Sequence, residues 1–528
     1  MKSILINSIL VVLVLLSACQ KADFADAYPD PSKVSTTSIE RQFTGILNSG
    51  VDYVVPNYRN YFVTLRITLN PWTQSIGWIN TPNQYVPGSS GVEDVWFNYY
   101  DVLAQYREFQ KVWNATEATK QEDLKIFNMA AAIFLYGETE RMVDLFGEIP
   151  FFEAGLLSTN NGDYNNSYAA FDQGDAVYGF MLDELKSIAD QMKTLSVGTG
   201  FQASFKAQDI INNGNLDLWR RYANALRLRM LTRVSASSEF SSRASSEIAE
   251  IIGNPTDYPV VENNDQNIMI DVFDINTPIN SKGFQQGINS SGWDGDDAPE
   301  KMINFLKDSK DPRLRILFEP GTEAGGEYVG LNPLLTGNEQ QALVNGGQIA
   351  YYNRTTTSQN QFFPGVIINA AEVSFLKAEY YVKGGNDALA QAAYETGIRQ
   401  SIEFYMSVNA GSDDQVAAAT PPTEEEIIAL LASDPVNWSN STTSDAKMAL
   451  IAYQKWVHFN IIQPYQNWAE LRRLDVPQLQ FWVDNSSTQT NPPVRWSIPG
   501  NEITYNAANY QAISGNDKLD RKLFWDVK

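Results

Sequence analysis

Histidine and cysteine are almost absent, with one of each in 528 residues: His458 and Cys19. Zinc sites built from several such ligands are therefore excluded, and one thiol cannot form an internal disulfide. A Ser-His-Asp triad has only His458 to build on. That residue lies in Lys455-Trp456-Val457-His458-Phe459-Asn460, a helical run crowded with aromatics, and we expect a structural histidine at a helix surface. Positive charge is scarce too. The 62 Asp and Glu outnumber the 39 Lys and Arg, giving a formal net charge of -23. Phosphate backbones need clustered basic side chains, so no nucleic-acid partner is expected. Beyond Cys19 no run approaches the ~20 apolar residues that cross a bilayer core, so that part is expected to be soluble.

What is present begins at the amino terminus. Lys2 precedes an aliphatic run from Ile4 to Leu16, broken only by Asn7 and Ser8. The run is too short to span a membrane but suits a secretory signal. It ends in Leu16-Ser17-Ala18-Cys19, a bacterial lipobox, in which the Cys thiol receives a diacylglyceryl group and the new amino terminus is then acylated. Residues 1–18 thus read as signal peptide, Cys19 as the lipidated (palmitate-type) residue, 19–33 as a tether and 34–528 as one large domain. Several alkyl chains, at ~0.8 kcal/mol per buried CH₂, hold such a protein firmly at a bilayer surface.

Aromatics make up 12% of the chain, and fourteen lie between Tyr53 and Trp113. Val95-Trp96 through Tyr99, Leu103, Tyr106 and Phe109 has the three-and-four spacing of a helix with one inward face. Asn70-Pro71-Trp72 and Tyr85-Val86-Pro87-Gly88 instead carry loop markers. Rings on loops are candidates for stacking on sugars or other flat ligands. We take Trp72, Trp78, Tyr85 and Trp293 as candidate ligand contacts, with Asn83 and Gln84 as hydrogen-bonding neighbours. Replacing Trp72 or Trp293 is then expected to weaken capture without unfolding.

Helical periodicity dominates elsewhere. Helices are expected over 122–146, stopped by Gly147, over 172–195, over 216–234, and as a pair over 370–382 and 387–406. Helix pairs joined by short Gly-containing turns suggest degenerate tetratricopeptide-like hairpins, although no clean 34-residue repeat exists. Long polar loops are expected over 158–167, 255–299, 319–363 and 407–443, surfaces suited to polar ligands. Trp293-Asp294-Gly295-Asp296-Asp297 gathers carboxylates on one loop. We expect Asp297 to cap a helix starting near Pro299, with Glu300 three residues on. A structural Ca²⁺ is the alternative, and no other cofactor is expected.

Several strings resemble one family. Asp311-Pro312-Arg313-Leu314, Ala371 to Glu379 (AEVSFLKAE), Tyr394 to Ser401 (YETGIRQS), Gln454-Lys455-Trp456, and Trp468 to Leu474 with Pro477 are similar, in order, to motifs of the SusD/RagB-like lipoproteins of Bacteroidota. Leu216 to Arg229 matches a further helix of that family. Two departures stand out: Gln466-Asn467 replace a Gly-Glu pair, and Pro464 is expected to break the preceding helix. The resemblance implies a mainly α SusD-like fold with long ligand-binding loops. It implies no enzyme but an outer-membrane lipoprotein facing the cell exterior. Such a protein captures a glycan, or alternatively a peptide, and delivers it to a SusC-like TonB-dependent transporter. Arg472 and Arg473 would brace the scaffold. The rival readings are a helical glycoside hydrolase, which needs two carboxylates in one aromatic-lined cleft, and a purely structural surface subunit.

Overall fold

The computed structural model describes residues 37–289 and 295–528. Cys19, the signal segment, the tether to Lys33, and Trp293 with Asp294 therefore lie outside the described residues. The chain is mainly helical, and the described residues include two small antiparallel sheets. Ile268–Ile270 pairs with Gly365–Ile368, and Phe318–Glu319 pairs with Tyr351–Tyr352.

Two central helices explain how so much polar sequence is accommodated. Ala118–Phe146 is buried on almost every side from Leu124 onward, with Ala130, Ala131 and Ala132 small enough for close neighbours. It ends where expected, at Gly147, whose φ of 79° lies in the left-handed region. Leu216–Val234 starts at the Asn215 cap, whose side chain accepts from the Asp217 and Leu218 amides. Asp172–195 was expected as a helix and is found as Gly174–Met192.

The predicted pair is present as Ala370–Lys383 and Asp387–Ala410, joined through Gly384 to Asn386. These helices pack so closely that a Cβ on Gly397 would lie 2.5 Å from Phe375 Cε1. Ala370, Val373 and Leu376 enter one large apolar cluster, while Ala371, Phe375 and Ala378 enter a second. The 370–383 helix is thus the partition between two cores.

Polar side chains cross this partition as a buried ionic network. Arg233 pairs with Asp144 and, at 3.2 Å, with Glu470. Glu470 meets Lys455 at 2.8 Å and Arg473 at 2.5 Å, and both cations also hold Glu379. Burial alone would raise the Glu379 carboxyl, but Arg473 and Lys455 outweigh it and hold the group at about 2. A second branch runs through Arg229, with Glu372 at 2.5 Å and Glu140 at 3.3 Å. Glu140 meets one cation where Glu379 meets two, and burial, opposed by Arg229, pushes it up to about 7. Each of the two carboxylates keeps one oxygen without a partner.

Several expectations change. His458 is not at a surface. It is buried among Phe375, Phe404, Tyr405 and Phe459, with Nδ1 3.1 Å from Ser401 Oγ. Burial, aided by the Arg313 charge, lowers it to about 3, so it stays neutral. Pro464 does not break a helix. The preceding helix closes at Phe459, and Pro464 occupies the first turn of Pro464–Leu474, where its missing N–H costs nothing. The long polar stretches are not bare loops. They hold helices Lys282–Ile288, Gly337–Asn345 and Glu424–Leu431, the last two opened by Thr-Glu capping boxes. Asp297 does not cap the Glu300–Asp308 helix, which has no side-chain cap. Its backbone instead pairs with Tyr351 and accepts from Gly77.

Two measurements check this packing. Gly397→Ala should lose about 1–3 kcal/mol in urea unfolding, the usual penalty for overpacking a core. Glu140 has its folded-state value raised above the ordinary 4.5. Its contribution is therefore favourable at acid pH and is lost as pH rises through about 7. Glu140→Gln should accordingly raise the melting temperature at pH 8, with the gain shrinking toward pH 5.

Candidate ligand-binding site

Asn70 to Gln74 was expected to be loop, yet Leu69–Trp72 forms a short helix against Pro464–Leu474. Trp72 is therefore only 1% exposed, with its ring 5.7 Å from that of Trp468. Tyr85 is 3% exposed: its hydroxyl donates to the Trp482 carbonyl at 2.6 Å, and its ring meets Phe481 edge-on. Neither presents an open face to solvent. Trp72 and Tyr85 instead form the floor of a narrow crevice whose other walls include Trp78, Gln84, Asn80, Pro333 and Phe481.

Trp78 is half-buried at the edge of this crevice. The Arg66 guanidinium lies 5.4 Å from its ring and 4.1 Å from that of Phe62, which in turn stacks on Tyr58 at 5.0 Å. Rings and guanidinium form a ladder of flat groups beginning at a half-exposed tyrosine. Gln84 is held by Thr81 and Asn80, at 2.9 and 3.0 Å. Asn83 is exposed and left-handed, with φ 64°, and its amide donates to Asp484 at 2.6 Å. It lies outside the crevice lining. Four of the six candidates thus converge on one crevice, Asn83 lies beside it, and Trp293 is outside the described residues.

Gln74 and Pro333 line this crevice and also an open cleft of about 840 Å³. Its walls come from the Glu300–Asp308 helix, the Ser444–Phe459 helix and residues 478–480. Phe305 and Tyr453 stack on each other in its wall, centroids 4.9 Å apart and 20° from parallel. Both are half-buried, and Asn304, Gln478 and Gln480 offer exposed amides around them. Glu300 and Asp308 add two carboxylates. Glu300 accepts from Asn332 at 3.2 Å. Apolar ring surface beside fixed and mobile amides suits the alternating CH faces and hydroxyls of a saccharide.

Phe305 and Tyr453 were missed in the sequence. The signal was available: Met302, Ile303 and Leu306 form the buried stripe of the 300–308 helix, and Phe305 falls beside that stripe rather than on it.

The family described as starch-binding and associating with the outer membrane, the SusD-like group, matches residues 57–499. The chain belongs to the SusD-like family. This is an outer-membrane-associated, nutrient-binding family whose members bind rather than catalyse, which sets aside the hydrolase reading. Solved SusD-like structures share the fold. An outer-membrane protein of Bacteroides vulgatus connected with nutrient binding is 20% identical with TM-score 0.72, covering 93% of this chain and 100% of that one. A SusD homologue of Bacteroides fragilis is 20% identical with TM-score 0.74, at the same coverage. A chitin-binding SusD homologue from Flavobacterium johnsoniae is 20% identical with TM-score 0.68, covering 93% and 99%. No curated protein matches. No described helix is long and apolar enough to cross a membrane.

The SusD-like strings prove to be structural. Arg313 donates to Asp311, to Ser401 at 3.0 Å and to Gln454 at 2.5 Å, so three of the motifs meet at one buried guanidinium. Arg472 lies 3.6 Å over Trp468 and donates to the Val494 and Asp144 carbonyls. Gln466 and Asn467, the departures, are buried bonding partners of Arg233 and Ser75. Among the described residues no cluster of three or more metal-ligating side chains occurs.

Burial reverses half of one expectation. Trp72→Ala should cost about 3–5 kcal/mol of stability, as truncating a core aromatic does. Trp78→Ala should cost less than half as much, read from paired denaturation curves.

Proposed function

We propose that this SusD-like protein is a lipoprotein anchored through Cys19 that captures a neutral glycan at the cell surface. It would then deliver the glycan to a SusC-like TonB-dependent transporter in the outer membrane. The single observation that carries the glycan reading is the open cleft with the stacked Phe305–Tyr453 pair ringed by amides. Trp78 and Gln84, at the mouth of the adjoining crevice, extend the same surface, with Trp72 and Tyr85 as its backing. The net charge of -23 and the carboxylates Glu300 and Asp308 disfavour polyanionic glycans. The chitin-binding homologue supports a neutral polysaccharide as the ligand class. The lipobox supports the anchor, and membership in an outer-membrane-associated family supports the location.

The test is a glycan and peptide array probed with the soluble chain that begins after Cys19. Neutral oligosaccharides should bind, and uronate-rich or sulfated ones should bind less. Tyr453→Ala should weaken capture about 10-fold, equivalent to ~1.4 kcal/mol, and Trp78→Ala should weaken it too, both without loss of fold. Binding confined to peptides would overturn the glycan reading.

A further inference from the structure

A second cavity lies away from the cleft, between the 118–146 helix, the Gly365–Ile368 strand and the start of the 464–474 helix. Its volume is about 80 Å³, where a buried water needs roughly 10–15 Å³. That is room for a small molecule of about six heavy atoms. The rings of Tyr53, Tyr61 and Tyr465 wall it with Leu65, Ile461 and Ile462. The hydroxyls of Tyr53 and Tyr61 donate to the Val95 and Gly295 carbonyls, which leaves the rings as its aromatic walls.

Two buried polar groups on its lining lack protein partners. Arg141 is 9% exposed and clamped between two rings, 3.8 Å from Tyr53 and 4.8 Å from Tyr465. Its terminal nitrogens serve Glu138 and the Tyr53 carbonyl, and its Nε–H has no acceptor. Gln463, 5% exposed, donates from Nε2 to Glu372 at 3.0 Å. A carboxylate only accepts, so this bond fixes the amide orientation. The Oε1 that remains has no donor. An unmet donor and an unmet acceptor on one cavity lining each carry an uncompensated desolvation cost, and a single hydroxyl group can satisfy both.

Charge narrows the ligand further. The two cations on the lining, Arg141 and Arg229, are already paired with Glu138 and with Glu372 and Glu140. An anion would find no free counter-charge, and a cation would find no free carboxylate.

Tyr53, Asn60 and Tyr465 line both this cavity and an adjoining pocket of about 100 Å³ walled by Asp52, Asn57 and Asp94. Where the two adjoin, the Tyr465 hydroxyl donates to Asn60 Oδ1 at 3.2 Å.

We propose that this inner cavity is a second binding site, separate from the glycan cleft, for a small neutral polyol. One hydroxyl accepts from Arg141 Nε–H and donates to Gln463 Oε1, while the carbon skeleton packs on the tyrosine rings.

Saturation-transfer NMR on the full chain, with erythritol as probe and acetate as charged control, tests this. Saturable transfer to erythritol is expected, falling at least ~10-fold in affinity in Gln463→Leu, which removes the acceptor. Ile462→Phe fills the space without touching the polar pair and should abolish transfer while the melting temperature is retained. Tyr465→Phe should keep the affinity within about 3-fold, because its hydroxyl is not one of the two proposed contacts. A site that holds water alone predicts no saturable transfer, and that result would overturn the proposal. Equal transfer in wild type and Ile462→Phe, or acetate binding as well as erythritol, would overturn it too. None of these outcomes depends on what the glycan array shows.

Discussion

The fold depends on carboxylates and cations buried together as opposed pairs in the middle of the helices. Arg233, Glu470, Lys455, Arg473 and Glu379 come from four different helices, yet every one of them is within ion-pair distance of at least one other. Taking such groups out of water costs several kcal/mol each. The arrangement is tolerated because each charge meets opposite charge and hydrogen bonds inside. The network therefore specifies which helices may pack together. An altered register would strand a charge, at a cost larger than any local helix preference.

That constraint explains why the two apolar cores can be separated by a helix rich in Glu. On the 370–383 helix, apolar residues face both sides while Glu372 and Glu379 reach into the ionic network. Glu140 shows the limit of the device. With one cation, Arg229, in ion-pair contact, burial pushes its carboxyl up rather than down. Glu379, equally buried and also with one unpartnered oxygen, pairs with both Lys455 and Arg473 and moves the other way. Burial acts on both; the number of facing cations decides the sign.

The surface regions follow a different logic. Around Trp78 and the cleft, side chains come from segments more than three hundred residues apart: Asn83 with Asp484, Tyr85 with Trp482, Gln74 with Gln480. These cross-links hold the crevice rigid beside an open cleft. The ring of Tyr453 leans edge-on against Trp456 in the core, so the exposed aromatic pair stands on a firm base. A binding surface made this way needs no moving part to present its rings.

The sequence by itself determined the helices whose pattern repeats locally, and with them much of the fold. Leu216–Val234, the 370–410 pair and the Gly147 stop depend on neighbours within a few turns. The family strings were legible for the same reason: each is a short helix segment with its polar residues at fixed spacing. Two Thr-x-x-Glu capping boxes, at Thr336 and Thr423, were also readable and were passed over as loop. Which rings line an open cleft is instead a tertiary matter. Trp72 and Tyr85 carry loop markers, yet Trp468 and Phe481 bury them. Phe305 and Tyr453 sit in ordinary helices, yet they stack together in the wall of a cleft. Exposure depends on what packs opposite, and that partner can lie hundreds of residues away, where no local spacing records it.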